Sequence, residues 1–260
     1  MEKIIAVVPV FNEEKTLRDI LGRIRRQTDL LVCVNDGSTD ASMRILREEM
    51  GKSGKGYVVD LPRNLGMAGA LRRGFEFVLY LRDKKVVRDG DWVVTIDADG
   101  QHEPEYIRPL VRYAGRRRLE VLLTRRDFSV YPIYKRLGNR FLTWTNSRLA
   151  GFPYRDVESG LRLLRVGVLE RILAYYTGVQ YSCAQEIALI SAREGCRIDN
   201  DYLVRIAYYR PGTTVWDGFI VLALSLYAYG RWKLKLRNRP QADRALMAKA
   251  FRAFRRKPKD

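Results

Sequence analysis

Two aspartates separated by one residue, Asp97 and Asp99, are the side chains best placed for chemistry in this sequence. They directly follow an apolar, strand-like run, so the turn that ends the strand can present both carboxylates at an open edge. Carboxylate oxygens are hard ligands that suit Mg²⁺ or Mn²⁺. A cation there can bridge two phosphates of a substrate and neutralise the charge on a diphosphate leaving group. The alternative is an ordinary acidic turn ending at Gly100, because the D-x-D pattern alone is weakly specific.

Two further polar runs follow strand-like segments nearer the N-terminus. The run from Val8 to Glu14 joins a strand end to a helix that Asn12 can cap, and makes a ledge where a base can lie against Phe11. The run from Val34 to Asp40 places the carboxylate of Asp36 where it can accept hydrogen bonds from a base or a ribose. Either run can also be no more than a turn followed by a helix cap.

The elements that must position these residues alternate between strand-like and helical patterns. Apolar, β-branched runs predict strands at residues 4–10, 30–34, 57–60, 92–96 and 120–124, with helices between them. This alternation predicts an α/β fold with a mostly parallel central sheet and flanking helices. Ligands bind beyond the carboxyl ends of such strands. We therefore expect the polar residues that follow four of the strands to gather along one edge: Asn12, Asp36, Asn64 and Asp97.

Past residue 125 the pattern becomes more irregular. Residues 132–150 predict an arginine-rich helix, residues 185–193 a second helix and residues 202–209 a strand. From residue 215 the chain is first apolar and aromatic and then strongly basic. Its last helix, predicted at 242–256, mixes large apolar side chains with lysine and arginine, which suits a helix lying on anionic lipid. The alternative is a core helix followed by a disordered basic end.

The order and spacing of four motifs, PVFNE, NDGSTD, RNLGMAGALRRG and DADGQH, resembles the inverting glycosyltransferases of family 2, which have the GT-A fold. The later run DVESGLR, at 156–162, resembles the D-x-x-S-G-F-R loop of the polyprenyl-phosphate branch, which includes the dolichol-phosphate mannosyltransferases. Gln185-Glu186 and the run YRPGTT at 209–214 resemble that branch's helix and its R-x-G-x-S segment. The resemblance covers about residues 3 to 216.

This resemblance implies a GT-A catalytic domain at 1–214 and a basic amphipathic segment at 215–260. The implied reaction moves a hexose, mannose before glucose, from GDP-mannose or UDP-glucose to polyprenyl or dolichyl phosphate, with inversion and with Mg²⁺ or Mn²⁺. The residues implied around the metal are Asp97, Asp99 and Gln101. Those implied for the nucleoside and diphosphate are Pro9, Phe11, Asn12, Glu13, Asp36, Asp40, Asn64, Gly66 and Ala98. The candidates for the acceptor phosphate and donor diphosphate are Arg126, Arg136, Arg140, Arg162 and Arg210.

The acceptor decides whether a general base is needed. A hydroxyl acceptor needs one, and Asp156 or Glu186 can serve. A phosphate acceptor is already anionic and needs positioning and charge neutralisation instead, for which arginine is suited. The single histidine, His102, we interpret as a residue that shapes the edge of the site.

Three positions depart from the family pattern, and the position of one arginine is left open. Asn35 stands where the family has the first aspartate of D-D-G-S, so one carboxylate is an amide. Met67 stands where the family commonly has a basic residue after N-x-G, and Leu161 stands in place of the phenylalanine of S-G-F-R. Arg125 and Arg126 are adjacent, so the sequence leaves open which of them reaches the site.

The net charge of +18 predicts attraction to an anionic partner. With no visible signal peptide and three widely spaced cysteines, we expect a cytoplasmic enzyme, peripheral at the inner face of the membrane, held there by residues 215–260 or by a membrane partner protein. A soluble or cell-surface glycan acceptor is the main alternative. A nucleic-acid-binding protein is a remote one, because no nucleic-acid module is recognisable.

Overall fold

A seven-stranded sheet lies at the centre of the computed structural model, which describes residues 2–54, 56–129, 131–179, 182–206, 215–238 and 243–255. The strands of this sheet are β1 (Ile4–Val10), β2 (Leu30–Asn35), β3 (Gly56–Asp60), β4 (Trp92–Thr95), β5 (Val121–Leu123), β7 (Arg162–Arg165) and β8 (Ile198–Asp199). A separate two-stranded sheet is formed by β6 (Arg125–Arg126) and β9 (Leu203–Val204). The sheet order is β3-β2-β1-β4-β7-β5-β8. Strands β1 to β4 pair in parallel, and β7 runs antiparallel between β4 and β5.

Helices cover both faces of this sheet. They are α1 (Leu17–Gln27), α2 (Ser42–Ser53), α3 (Gly66–Asp83), α4 (Ile107–Arg116), α5 (Ile133–Ala150), α6 (Leu169–Leu173), α7 (Cys183–Arg193), α8 (Val215–Lys233) and α9 (Arg244–Arg255). Helices α1, α2 and α4 share one apolar core with one face of the sheet, and α3, α6, α7 and α9 share the core on the other. Strand β1 is buried on both faces, since Val7 packs in one core and Val8 in the other. This explains why its sequence is apolar throughout.

The predicted α/β order is confirmed, with two local differences. Helix α1 begins at Leu17, not after Asn12. Asn12 has a φ of 55°, which a right-handed helix start does not accommodate, and its Oδ1 accepts a hydrogen bond from Thr39 N. The strand predicted at 202–209 is reduced to the two residues of β9, and residues 207–209 lie outside the described part of the chain.

The C-terminal helices pack on the rest of the protein. Helix α8 lies against α5 and α7, and α9 lies across the edge strand β3. Met247 of α9 is fully buried, and the ring of Phe251 stacks on Tyr57 with centroids 5.8 Å apart. We predicted that the apolar side chains of this last helix would face lipid, and these two are instead core residues. Among the described residues, no helix is both long enough and apolar enough to cross a bilayer.

Candidate functional site

A cleft of about 580 Å³ opens where β1, β2 and β4 end. Nine of the predicted site residues line it: Pro9, Phe11, Glu13, Asp36, Asn64, Gly66, Asp97, Ala98 and Asp99. They come from the carboxyl ends of strands and from the loops that follow them. The parallel strands therefore bring these residues together along one edge of the sheet, as we expected for the residues that follow the strands.

The loop that carries Asp97 and Asp99 is fixed from three sides. Thr95, at the end of β4, donates its hydroxyl to Gly160 O at 2.8 Å. Ala98 O accepts a hydrogen bond from Thr16 Oγ1 at 2.9 Å, and this contact ties the loop to the start of α1. Asp99 Oδ1 accepts from Gln101 N at 2.9 Å. The loop and the carboxylate of Asp99 are thereby held at the cleft.

Negative charge is concentrated at this end of the cleft. Burial raises the pKa of Asp97, and the nearby guanidinium of Arg162 opposes that rise. Burial also raises the pKa of Asp99, and the charge of Asp97 adds to it. The pKa of Glu13 is raised for the same reasons, with Asp99 and Asp97 among the charges it senses. Three carboxylates that share this end of the cleft make a site where a cation is stabilising.

The donor set fits a divalent cation that shares its coordination with a substrate. The described residues contain no group of three or more His, Cys, Asp or Glu side chains that could hold a metal alone. Mg²⁺ commonly binds through one or two carboxylates plus substrate phosphates, and Asp97 and Asp99 supply that number of hard oxygen ligands. Gln101 contributes its backbone N–H to Asp99 and is not among the residues that line the cleft.

Opposite the carboxylates, the loops after β2 and β3 are joined at Asp36. Its Oδ1 accepts a hydrogen bond from Leu65 N at 2.7 Å, and burial raises its pKa. Gly37 has a φ of 71°, and a Cβ there would lie 2.7 Å from backbone atoms of Arg63 and Asn64. Only glycine permits this approach. The two loops therefore form one wall of the cleft, with a carboxylate at its base.

Two of the predicted residues support this wall through hydrogen bonds and do not contact the cleft. Asn12 accepts from Thr39 N, and Asp40 accepts from Glu14 N and from Ser42 N. Neither residue lines the cleft. Both join the loop after β1 to the loop after β2.

Asn35, the amide that departs from the family pattern, has a local partner. Its Nδ2 donates to Asp60 Oδ1 at 2.7 Å, across the paired strands β2 and β3. An aspartate at position 35 would place a second carboxylate at this contact. The amide at position 35 therefore matches the carboxylate at position 60.

We expect Asn35→Asp to lower the free energy of unfolding by about 1–2 kcal/mol at neutral pH, because a carboxylate at this almost fully buried position would face the half-buried carboxylate of Asp60. The loss comes from repulsion between two negative charges, so it should be smaller in acid, where fewer carboxylates are ionised. Urea unfolding at neutral and acidic pH measures both. An equal loss at both pH values, or no loss, contradicts the assigned contact.

A second cluster, beside the cleft, is built on Arg126. Its Nε donates to Asp156 Oδ2 at 2.8 Å and its Nη2 to Asp156 Oδ1 at 3.0 Å and to Asn139 Oδ1 at 2.9 Å. The guanidinium also lies over the ring of Phe128, 4.9 Å from its centroid. Asp156 is fully buried, and its pKa is lowered because the charge and hydrogen bonds of Arg126 outweigh the effect of burial.

His102 lies between the two clusters. It is buried, with Nε2 3.8 Å from Asp97 Oδ2, and burial lowers its pKa to about 4. It senses the charges of Asp99, Arg126 and Arg162, which places those residues around it. A neutral ring at this position fits the interpretation of His102 as a residue that shapes the site.

The remaining predicted residues are distributed differently. Arg162 is buried on β7, opposite Thr95 in the register of β4. Glu186 is fully buried and its carboxylate accepts hydrogen bonds from Thr177 and Ser182, so it holds the loop before α7. Arg136 and Arg140 are exposed on α5. Arg210 lies outside the described residues.

The cleft also contains residues that sequence reasoning did not place there: Val10, Leu65, Met67, Ala70 and Ile220. The first four neighbour predicted motifs, so their positions could have drawn attention. Ile220 belongs to α8, and only the apolar character of that segment hinted that it would return to the site.

Comparison with known proteins identifies the family of this chain. A sequence profile described as Glycosyl transferase family 2 matches residues 5–173. A UDP-N-acetylglucosamine–dolichyl-phosphate N-acetylglucosaminyltransferase of Methanococcus voltae is 24% identical over 238 residues, covering 83% of this chain and 92% of that protein. An undecaprenyl-phosphate 4-deoxy-4-formamido-L-arabinose transferase of Edwardsiella ictaluri is 33% identical over 174 residues, covering 64% of this chain and 50% of that protein.

Among solved structures, glucosyl-3-phosphoglycerate synthase of Mycobacterium tuberculosis in complex with Mn²⁺, UDP-glucose and phosphoglyceric acid superposes with a TM-score of 0.61. The identity is 18%, over 88% of this chain and 80% of that chain, so the likeness is one of fold. The family profile covers well over half of the sequence, including every residue that lines the cleft except Ile220. The chain therefore belongs to glycosyl transferase family 2 and has the GT-A fold.

Proposed function

We propose that this protein transfers a sugar from a nucleotide-diphospho-sugar to a polyprenyl phosphate, with inversion at the anomeric carbon and with Mg²⁺ or Mn²⁺ bound at Asp97 and Asp99. The observation that carries the proposal is the cluster of carboxylates at the end of a cleft of about 580 Å³. This cluster has the ligands for a diphosphate-bound cation but too few of its own to hold one.

The cleft has the two environments that a nucleotide-sugar requires. Phe11 and the backbone of the loop after β1 offer a surface against which a base can lie, and Asp36 stands where it can accept hydrogen bonds from the base or the ribose. The diphosphate then lies towards Asp97 and Asp99. A cation bound there supplies neutralisation of the charge that develops on the departing nucleoside diphosphate.

Arginines beside the cleft support a phosphate acceptor. Asp156 and Asn139 hold the guanidinium of Arg126 in place, and we assign this guanidinium to the acceptor phosphate. Arg162 is buried beside Asp97 and adds positive charge at the junction of donor and acceptor. Arginine suits this role because its planar fork matches the geometry of phosphate oxygens.

The proposed step is an in-line displacement. A phosphate oxygen of the acceptor forms a bond to the anomeric carbon, and the bond from that carbon to the diphosphate breaks, with its electron pair leaving on the nucleoside diphosphate. An ionised phosphate carries no proton that must be removed, so no general base is required. Asp156, which is bound to Arg126 and fully buried, then acts as a positioning residue that fixes the guanidinium.

The relatives guide the choice of donor. Mannose and glucose remain our first candidates for the sugar, linked to GDP or UDP. The Methanococcus voltae relative is named for UDP-N-acetylglucosamine and dolichyl phosphate, and the Edwardsiella ictaluri relative for undecaprenyl phosphate. UDP-N-acetylglucosamine therefore joins the donors to be tested. We place the reaction at the cytoplasmic face of the membrane.

A transfer assay tests the proposal. Purified protein, Mn²⁺ or Mg²⁺ and one radiolabelled donor at a time are mixed with a short polyprenyl phosphate in detergent, and the organic phase is counted. We expect cation-dependent label in the lipid with one donor among GDP-mannose, UDP-glucose and UDP-N-acetylglucosamine. Label that appears only in a water-soluble product, with a glycan or sugar phosphate as acceptor, overturns the lipid acceptor.

Gly160 provides a test of how closely Asp97 must be held. A Cβ at this position would collide with Asp97 Oδ2 and lie 2.8 Å from His102 Nε2. We expect Gly160→Ala to displace the carboxylate and lower the transfer rate about a hundredfold, because small misplacements of a reacting site are costly. Gly115→Ala on α4, where a Cβ meets nothing within 4 Å, is the matched control and should transfer at the wild-type rate. Equal rates for both variants contradict this role for Gly160.

A further inference from the structure

Helix α5 turns a row of large apolar side chains away from the protein. Ile133, Tyr134, Leu137, Phe141 and Trp144 are each more than half exposed. Four of them recur at intervals of four, four and three residues, so they lie along one side of the helix. The rings of Phe141 and Trp144 stack with centroids 6.4 Å apart, which makes the row continuous. An exposed apolar row of this size on a helix is typical of an interaction surface.

The opposite side of the same helix faces the candidate site. Asn139 and Asn146 are buried there. Asn139 accepts a hydrogen bond from Arg126 Nη2, and Asn146 Nδ2 donates to Gln185 O at 3.1 Å. Whatever contacts the outer side of α5 is therefore held one helix diameter, about 10 Å, from the arginine that we assign to the acceptor phosphate.

Helix α8 extends this surface. It packs beside α5, and its outward residues Phe219, Leu226 and Tyr227 are each half or more exposed. Between Gly218 and Gly230 it contains no charged residue. Ile220, on the same helix, lines the donor cleft. The outer surface of α8 thus lies next to both the outer side of α5 and the entrance to the site.

Positive charge accompanies the apolar rows. Arg136, Arg140 and Arg148 are exposed on α5, and the guanidinium of Arg148 lies over the ring of Trp144, 5.6 Å from its centroid. Lys233, the last residue of α8, and Lys235, which follows the helix, are both exposed. Apolar and aromatic side chains flanked by arginine and lysine have the composition of a helix lying in an anionic lipid interface. A second copy of this chain fits less well, because a two-fold contact would bring these same arginines together.

We propose that the outward sides of α5 and α8, here named the docking face, bind an anionic bilayer surface and hold the Arg126 side of the site at the depth of the lipid phosphates. The proposal rests on a polyprenyl-phosphate acceptor, as proposed above. It places the membrane contact on α5 and α8 and not on α9, whose apolar residues Met247 and Phe251 are buried against the sheet.

Flotation with vesicles tests the docking face. Wild-type protein should float with vesicles made of equal parts phosphatidylcholine and phosphatidylglycerol. The variant Leu137→Ser/Phe141→Ser/Trp144→Ser should bind them about a hundredfold more weakly, because three large apolar side chains no longer enter the interface. Leu203→Ser, which removes an exposed leucine on β9, should bind as the wild type does. Unchanged vesicle binding by the triple variant overturns the proposal.

The charge component has its own matched pair of variants. Arg136→Gln/Arg140→Gln should bind the anionic vesicles about thirtyfold more weakly, since each basic residue near an anionic surface contributes to binding. Arg112→Gln/Arg116→Gln removes the same charge from exposed positions on α4, on the other side of the sheet, and should cost about threefold or less. Equal losses in the two pairs show attraction by net charge alone and overturn the assigned face.

Two further readouts separate the docking face from the proposed reaction. With a short polyprenyl phosphate in detergent, the triple variant should transfer sugar at the wild-type rate, whereas with acceptor in vesicles it should be slow. If the triple variant loses vesicle binding but the wild type transfers sugar to no polyprenyl phosphate, the docking face stands and the proposed reaction is refuted.

Oligomeric state tests whether a second copy of the chain covers this face. If the wild type is a dimer, and the triple variant is a monomer with unchanged vesicle binding, the face belongs to a second copy and the proposal is overturned.

Discussion

Replacing Asp99 by asparagine is expected to lower the transfer rate by about a thousandfold or more while the fold is kept. The carboxylate is held at the end of the cleft by Gln101 N and is one of the two assigned cation ligands. Loss of the cation's charge stabilisation at the leaving diphosphate is worth several kcal/mol, and about 4 kcal/mol corresponds to a thousandfold in rate. The measurement is the initial rate of cation-dependent transfer to a polyprenyl phosphate.

The stability of the same variant distinguishes a functional from a structural carboxylate. The folded-state pKa of Asp99 is raised, so ionised Asp99 costs stability at pH values above that pKa. In the absence of divalent cation, Asp99→Asn should therefore unfold at the same urea concentration as wild type or at a higher one. Asp83→Asn, at an exposed position on α3, is the control and should leave both rate and stability unchanged. A variant that is both inactive and strongly destabilised contradicts the assignment.

Breaking the Arg126–Asp156 pair has the largest expected effect on stability. Asp156→Asn removes the carboxylate that accepts two hydrogen bonds from the guanidinium and leaves it the more distant carboxylate of Glu158, whose Oε2 lies 3.7 Å from Nη2. Removing one partner of a buried pair costs about 3–5 kcal/mol. The double variant Arg126→Met/Asp156→Leu removes both charges and should recover part of that loss. Urea unfolding of Arg126→Met, of Asp156→Leu and of the double variant gives the coupling energy of the pair. A double variant whose loss equals the sum of the single losses contradicts the coupling.

The pH dependence of this pair has a defined sign. The pKa of Asp156 is lowered in the folded state, so the pair stabilises the protein fully above the unfolded-state pKa, which is about 4. That stabilisation is lost as the pH falls through the lower folded-state pKa. The difference in unfolding free energy between wild type and Asp156→Asn should therefore be constant at neutral pH and shrink in acid. A difference that grows as the pH falls contradicts the assigned ion pair.

Local patterns predicted the elements that carry the cleft. The β-branched run at 4–10 became β1, the run before Asp97 became β4, and their parallel pairing brings Pro9 and Asp97 to one edge. This succeeded because buried parallel strands are apolar throughout and because polar residues after them must lie at the carboxyl end. The same reasoning placed Asp36 and Asn64 correctly.

Other residues depended on contacts between segments that are distant in the sequence. Asn12 was predicted as a helix cap, but its side-chain Oδ1 instead accepts a hydrogen bond from the backbone N–H of Thr39, 27 residues away. The charge pattern of α9 suggested a lipid surface, but Phe251 stacks on Tyr57 of the edge strand. Glu186 looked like a base, and its burial against Thr177 and Ser182 emerges only once the loop before α7 is folded. Amphipathic patterns show that an apolar side must be covered, and tertiary structure decides what covers it.

The central claim is that the cleft binds a nucleotide-sugar through a divalent cation held by Asp97 and Asp99. Calorimetric titration of the full chain with UDP and GDP, and with the sugar derivative of each, tests it most directly when done with Mn²⁺ and again with EDTA. The account predicts binding of one nucleotide series with Mn²⁺, and its loss with EDTA and in Asp99→Asn. Binding that is equally tight with and without cation, or unchanged in Asp99→Asn, would contradict it.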